Sequence, residues 1–240
     1  MPESPEAAGR LLGRVAVVTG ASRGLGRAVA ARFAAEGAHC VLLARTVGAL
    51  EELDDEIRKA GGTRPTLVPM DLLDAAKTDQ LGAALHDRFG RLDVLAGCAG
   101  ALGNLSPLGH IGPKVWEETL SLNLGANYRL LRSLDPLLRR SGSGRAVFAT
   151  CQVGRGSAYW ALQSASKAAL EAMVLSYAQE VAKFAVTANL VSPGPLRTGL
   201  RATAFPGEDP ETVPLPESVT DCFVELASRD DDRNGQIVSP

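Results

Sequence analysis

The stretch VAVVTGASRGLG, residues 15–26, joins a short apolar run to three closely spaced glycines. The apolar run predicts a buried strand, and the residues that follow, RAVAARF at 27–33, predict a helix. Glycines at positions 20, 24 and 26 allow a sharp turn between the two and leave room for a pyrophosphate at the helix N-terminus. A strand, a glycine turn and a helix in this order indicate a dinucleotide-binding site.

Composition limits the classes of protein to which the chain can belong. Its 240 residues and hydrophobic content of 45% suffice for one sizeable α/β domain. The formal net charge of −2 favours neither nucleic acid nor an anionic membrane surface as a partner. No apolar run approaches the roughly 18–20 residues that span a bilayer. Four scattered cysteines without metal-ligand spacing predict a reduced, cytoplasmic protein that holds no metal.

Strand-like and helix-like segments alternate along the chain. Further strands are predicted at 40–44, 67–70, 92–96, 145–149 and 186–191, and helices at 50–59, 75–89, 116–137 and 158–184. This alternation predicts a single-domain Rossmann fold, a doubly wound parallel sheet of about seven strands with helices on both faces. We expect this domain to span residues 11–240, after a disordered leader at 1–10. Four prolines in the segment 201–216 predict a flexible flap over the site, with an ordinary surface loop as the alternative.

The glycine turn, the predicted sheet and the sequence SASK at 164–167 together resemble the short-chain dehydrogenase/reductase family. The resemblance runs from Gly13 to Val238, and residues 160–167 and 204–210 are similar to a bacterial branch of that family. It implies that a hydride moves between a nicotinamide and a carbonyl or alcohol carbon. The cofactor contacts that it implies are Gly20, Ser22, Arg23, Gly24, Leu25, Gly26, Asp71, Leu72, Cys98, Ala99, Gly100, Lys167, Pro193, Gly194 and Thr198.

The resemblance also implies a catalytic set, from which this chain departs. Lys167 matches the family, and so does Asn123, which stands where the family has an asparagine that kinks a helix. Gln163 stands four residues before the lysine, where the family has a tyrosine that passes the proton. The family's serine at the end of the fifth strand corresponds to Cys151 or, counted from Gln163, to Thr150. The Asn-Asn-Ala-Gly of the family reads GCAG at 97–100. We therefore expect a catalytic site formed by Asn123, Cys151, Gln163 and Lys167.

The loss of the tyrosine has a chemical consequence. A carboxamide donates a hydrogen bond but cannot give up and regain a proton near neutral pH. Losing a general acid typically costs ~10²–10⁴ in rate. Three replacements stay open: Tyr159 on the same helix face as Gln163, Cys151 as a thiolate, and a redox pair of Cys98 with Cys151. The histidines at 39, 86 and 110 are interpreted as non-catalytic.

The end of the second strand predicts which dinucleotide binds. An acidic residue ~20 residues beyond the glycines binds the ribose hydroxyls of NAD, whereas a basic residue accommodates the 2′-phosphate of NADP. This chain has Arg45 there, with Arg23 in the glycine turn. Two guanidinium groups can clamp a phosphate, so the sequence predicts NADP(H) in preference to NAD(H). The alternative is that both arginines are solvated surface charges.

The sequence is compatible with three functions. The first is an oxidoreductase that acts on a small carbonyl or alcohol substrate, not identifiable from the sequence, through an altered proton path. The second is an NADP(H)-binding sensor or partner subunit that has lost the chemistry, and the third is a structural protein with a vestigial pocket. Because family members assemble through the long helices after the fourth and fifth strands, the resemblance implies a homodimer or homotetramer.

Overall fold

Seven parallel strands form one sheet at the centre of the molecule. The computed structural model describes residues 9–152 and 154–240. The strands are β1 (Val15–Thr19), β2 (His39–Ala44), β3 (Thr66–Pro69), β4 (Val94–Gly97), β5 (Gly144–Ala149), β6 (Val186–Val191) and β7 (Ile237–Val238). Their order across the sheet is β3-β2-β1-β4-β5-β6-β7, so the chain reverses direction across the sheet between β1 and β4.

Helices cover both faces of this sheet. They are α1 (Gly24–Ala35), α2 (Val47–Lys59), α3 (Ala75–Phe89), α4 (Pro113–Leu120), α5 (Ala126–Arg140), α6 (Ala161–Val181), α7 (Gly199–Ala204) and α8 (Thr220–Ala227). Successive side chains of a strand point to opposite faces. Val18 and Leu42 accordingly pack with α1, α2 and α8, whereas Val17 and Leu43 pack with α3, α5 and α6. The predicted doubly wound single-domain Rossmann fold is confirmed.

Several helices differ from their predicted bounds: α1 and α2 begin three residues earlier than predicted. The long helix predicted at 116–137 is divided into α4 and α5 by a π-helical turn at Ser121–Gly125, which contains Asn123. The helix predicted at 158–184 is shorter, because α6 begins only at Ala161. Tyr159, two residues earlier, has a φ of 72°, which a right-handed helix does not allow. The strand predicted at 186–191 has the predicted bounds, and the bounds of the other predicted strands differ by one or two residues.

The predicted flap and leader have local contacts. Within 201–216, Arg201 forms an ion pair with Glu208, and a 3₁₀ turn runs over Pro210–Thr212. Residues 1–8 of the predicted leader lie outside the described residues, whereas the Arg10 N–H donates to a Glu36 carboxylate oxygen at 2.9 Å. The mobility of the flap stays a prediction. No helix in the described part of the chain is long and apolar enough to cross a membrane.

Three glycines determine the shape of the turn between β1 and α1. Gly20 and Gly24 have φ values of 69° and 54°, in the left-handed region that favours glycine. A Cβ atom on Gly26 would lie 2.4 Å from the Gly20 carbonyl oxygen. A side chain at position 26 therefore has no space unless the turn opens.

Gly26→Ala tests this constraint directly. We expect a loss of about 1–3 kcal/mol in the free energy of unfolding, since the methyl group overpacks the turn. Gly48→Ala is the matched control, because a Cβ on this α2 residue meets no atom within 4 Å. It should change the unfolding free energy by no more than about 1 kcal/mol. Urea denaturation of both variants measures the difference, and equal stabilities would contradict the steric account.

Candidate active site

A cavity of about 740 Å³ opens at the carboxyl ends of the strands, next to the reversal between β1 and β4. Open parallel sheets bind ligands at this place. Every residue predicted to contact the cofactor lines the cavity, including the glycine turn, Arg45, Asp71 and Thr198. The structure thus brings together residues from the loops after β1, β2, β3, β4 and β6 and from helix α6. Their contact with a cofactor stays a prediction.

Thr19 holds the floor of the cavity in place. Its hydroxyl oxygen accepts hydrogen bonds from the N–H groups of Cys98 and Ala99, at 3.0 and 3.1 Å. This ties the end of β1 to the loop after β4. A Cβ on Gly20 would stand 3.0 Å from the Ala99 Cα. The floor is therefore a surface of closely spaced backbone, over which an extended ligand can lie.

Two exposed guanidinium groups line the cavity. Arg23 lies in the glycine turn, with its Nη1 3.9 Å from the position of a Cβ on Gly199, and Arg45 follows β2. Within residues 9–152 and 154–240, neither forms an ion pair with a carboxylate. Asp71, also at the lining, accepts a hydrogen bond from the Leu73 N–H at 3.0 Å, which shapes the turn after β3. Two positive charges that have no carboxylate partner among the described residues make the cavity suitable for an anionic ligand.

Asn123 lies in the π-helical turn, below the cavity surface. Its Oδ1 accepts from the Ala101 N–H at 2.8 Å, and its Nδ2 donates to the Ala101 carbonyl at 2.9 Å and to the Ser166 hydroxyl at 2.9 Å. The side chain is fully buried. Asn123 therefore fixes the loop after β4 to the kink between α4 and α5, and it reaches α6 through Ser166.

Gln163 occupies the position of the expected acid. It lines the cavity, although only 3% of the residue is exposed. Its Oε1 lies 3.5 Å from Nδ2 of Asn123, whose orientation is fixed by Ala101. Nδ2 already donates its two protons to Ala101 and Ser166 at 2.9 Å, so this longer contact does not fix which way the Gln163 amide faces. The carboxamide can form hydrogen bonds here, but it has no proton that titrates near neutral pH.

Lys167 lies one helical turn beyond Gln163. Its Nζ is buried and donates to the Ala149 carbonyl at 2.9 Å. Burial lowers the pKa of Lys167, whereas the neighbouring thiols of Cys151 and Cys98 act in the opposite direction. Burial also raises the pKa of Cys98 to about 12, so this residue is a neutral thiol near pH 7. Cys98 and Cys151 are both free cysteines, and their redox pairing stays a prediction.

Thr150 and Cys151, the two candidates for the serine position, differ in their contacts. The Thr150 hydroxyl donates to the Glu171 carboxylate at 2.6 Å and is thereby occupied. Cys151 is half-buried and lines the cavity. Sequence reasoning missed Glu171, a buried acid on α6 that also pairs with Arg155. Its position four residues after Lys167, on the helix face that also carries Gln163, was the available signal.

Tyr159 does not lie where the sequence placed it. The expectation that it shares a helix face with Gln163 is wrong, because α6 begins after it. Tyr159 is 58% exposed and is not among the lining residues of the cavity. Trp160 takes the inner position instead, packed so closely that a Cβ on Gly154 would lie 2.2 Å from its ring. None of the lining residues is a histidine or a tyrosine.

Aromatic rings from two distant segments form one side of the cavity. Trp160 and Phe205 both line it, with ring centroids 5.7 Å apart and an interplanar angle of 34°. We call this pair the aromatic wall. The sequence carried no signal for it, because the two residues meet only when the segment after α7 folds back over the site. In the described part of the chain, no group of three or more His, Cys, Asp or Glu residues could hold a metal ion.

Comparison with known proteins assigns the family. A family model described as short chain dehydrogenase matches residues 14–209. The uncharacterized oxidoreductase YciK of Escherichia coli is 35% identical over 223 residues, which cover 92% of this chain and 88% of that protein. The short-chain reductase protein NovJ of Streptomyces niveus is 34% identical over 180 residues, covering 75% and 68%. The chain therefore belongs to the short-chain dehydrogenase family.

Solved structures agree with this assignment. A short chain dehydrogenase from Pseudomonas syringae superposes with a TM-score of 0.93 at 38% identity, covering 97% of this chain and 96% of that one. One from Escherichia coli CFT073, solved in complex with NADPH, superposes with a TM-score of 0.91 at 34% identity, covering 97% and 98%.

Proposed function

We propose that this protein binds NADP(H) in the cavity and acts as an oxidoreductase with an altered proton path. The observation that carries the choice of cofactor is the pair Arg23 and Arg45, both exposed, both at the cavity and both without an ion pair in the described chain. A 2′-phosphate placed between two guanidinium groups gains bidentate, charge-assisted hydrogen bonds. The NADPH complex of the related Escherichia coli dehydrogenase supports the same choice.

The cavity fits a dinucleotide on structural grounds. The turn at Gly20 and Gly26 leaves no room for side chains and presents bare backbone at the start of α1. N–H groups at a helix N-terminus bind phosphate oxygens well. Arg23 and Arg45 would hold the adenosine end, and Lys167 with the loop at Pro193 would border the nicotinamide end. When bound, the cofactor supplies a hydride.

The residues at the other end set the proton chemistry. Nε2 of Gln163 can donate to a substrate oxygen, and the buried ammonium group of Lys167 adds positive charge one helical turn away. Neither group replaces the missing phenol as a neutral-pH acid that is poised for transfer. We therefore propose slow turnover of small ketones and aldehydes, with the proton taken from solvent.

A second function has an observation in its favour. Because no tyrosine or histidine lines the cavity among the described residues, the protein could serve as an NADP(H)-binding sensor or partner subunit without turnover. A homodimer or homotetramer and a cytoplasmic location also stay proposals. Tyr128, 52% exposed on the outer side of α5, is consistent with an assembly through that helix.

Arg45→Asp tests the cofactor choice. We expect the Kd for NADPH to rise about 10–100-fold, since a charge-assisted contact is lost and a like charge is added. The Kd for NADH should change less than about 3-fold, because NADH has no 2′-phosphate. Fluorescence titration measures both constants. The control is Arg64→Asp, an equal charge change at a residue outside the cavity. If Arg45→Asp raised the Kd for NADPH and the Kd for NADH by the same factor, Arg45 would not contact the 2′-phosphate.

Gln163→Tyr tests the missing acid. We expect reduction of a panel of ketones and aldehydes to rise at least about 100-fold, because the restored phenol lies one turn before Lys167 and can pass a proton. Gln163→Phe supplies the same ring without the hydroxyl and should show no gain. The account of the proton path fails if the tyrosine variant binds NADPH normally and reduces nothing faster than the phenylalanine variant does.

A further inference from the structure

Glu171 is a buried carboxylate on α6 that does not itself line the cavity. Only 5% of the residue is exposed, yet each of its two oxygens has a partner. Oε1 accepts a hydrogen bond from the Thr150 hydroxyl at 2.6 Å, and Oε2 accepts one from Nη2 of Arg155. Burying a carboxylate is costly unless such partners replace the lost water. Glu171 is therefore held in one orientation by two residues of the same loop.

The two partners of this carboxylate lie on either side of Cys151 in the loop after β5. Thr150 directly follows the strand, and Arg155 lies further along the loop. Cys151, between them in the chain, lines the cavity. Another contact of this loop with α6, from the Ser164 hydroxyl to the Gly154 carbonyl, is longer at 3.3 Å. One carboxylate therefore ties to α6 both flanks of the segment that carries Cys151.

The same helix binds the end of β5 a second time, one turn earlier. Nζ of Lys167 donates to the Ala149 carbonyl at 2.9 Å, and Glu171 binds the next residue, Thr150. Side chains four positions apart lie on one face of a helix, so one face of α6 holds two consecutive residues at the end of the strand. Burial lowers the pKa of Lys167, and the Glu171 carboxylate is one of the groups that act against this shift. Glu171 thus acts on both Lys167 and the loop.

We propose that Glu171 is a positioning residue of the active site, which holds the loop after β5 on both sides of Cys151 and thereby fixes Cys151 at the cavity wall. It acts through Thr150 and Arg155 and not by contact with a ligand. The Arg155 side chain is 46% exposed and that of Glu171 only 7%, so this ion pair can be broken from the surface. The inference rests on the proposed function, because the position of Cys151 affects a reaction only where the cavity holds a cofactor and a substrate.

Alkylation of Cys151, which is half-buried, measures how firmly the loop is held. Iodoacetamide is added to the purified protein, and mass spectrometry gives the rate at each cysteine. Arg155→Met should raise the rate at Cys151 at least about 10-fold, because a hydrogen bond between charged groups no longer opposes opening of the loop. One guanidinium nitrogen makes the contact. Arg155→Lys, which keeps the charge, should therefore restore the rate to within about 3-fold of the wild type.

The other cysteines separate a loop effect from a general loss of stability. Cys98 lines the same cavity from the loop after β4, and Cys40 is fully buried in the core. Their rates in Arg155→Met should stay within about 2-fold of the wild type, since both lie outside the loop that opens. Equal acceleration of all three cysteines would show a merely structural role and overturn the proposal. Glu36→Gln, which removes a carboxylate paired with arginine at the end of α1, should leave Cys151 unchanged.

Glu171→Gln separates the position of Cys151 from the charge around it. By charge alone, Arg155→Met leaves an unpaired carboxylate and disfavours the Cys151 thiolate, whereas Glu171→Gln removes the carboxylate and favours it. Release of the loop accelerates alkylation in both variants. Opposite changes in the two variants, or no acceleration in Arg155→Met, overturn the proposal. Because Arg155 is half exposed, its variant decides the question even where Glu171→Gln does not fold.

The effect on the reaction is measured in the Gln163→Tyr protein. Adding Arg155→Met should lower kcat for ketone reduction about 10-fold, because a displaced loop misplaces groups around the reacting atoms. The KM for the ketone and the Kd for NADPH should change less than about 3-fold. An unchanged kcat beside a released loop would overturn the positioning role. A protein that binds no NADPH refutes the proposed function instead, and the alkylation rates, which need no cofactor, then decide separately whether Glu171 holds the loop.

Discussion

The contact between the end of β1 and the loop after β4 is the constraint on which the rest of the site depends. Thr19 binds two N–H groups of that loop, and Gly20 lies against Ala99 with no space for a side chain between them. This contact is made where the strand order reverses, so it also fixes the position of the cavity. From the same loop, Ala101 orients Asn123, which in turn contacts Gln163. The glycine turn and the reaction centre are thus one connected structure.

The chain keeps that structure although no tyrosine or histidine lines the cavity among the described residues. A site that had merely decayed would be expected to leave buried polar groups unpaired, since each unmade hydrogen bond costs about 1–3 kcal/mol. Instead Asn123 makes all its contacts, Lys167 donates to Ala149, and Glu171 bonds both Thr150 and Arg155. This ordered arrangement is the pattern expected of a site that is maintained and not of one that has decayed.

Much of this fold could be predicted from the sequence, because the patterns that indicate its strands, helices and glycine turn lie within short stretches of the chain. The apolar strands, the glycine turn and the alternation of periods each involve fewer than about 20 neighbouring residues. The kink at Ser121–Gly125 could not be derived from periodicity, because Ala101 and Ser166 hold Asn123 there from distant parts of the chain. The aromatic wall was missed for the same reason. The predicted position of Tyr159 was wrong because the spacing of apolar residues does not show that Tyr159 adopts a left-handed backbone conformation just before α6.

The most direct test of NADP(H) binding in the cavity is a calorimetric titration of the purified protein with NADPH and, separately, with NADH. The account predicts micromolar binding of NADPH and at least about 10-fold weaker binding of NADH, the difference that one phosphate clamped by arginines provides. No heat of binding with either cofactor at millimolar concentration would contradict it. The glycine turn would then serve the fold alone, and the cavity would have to be assigned to a different ligand.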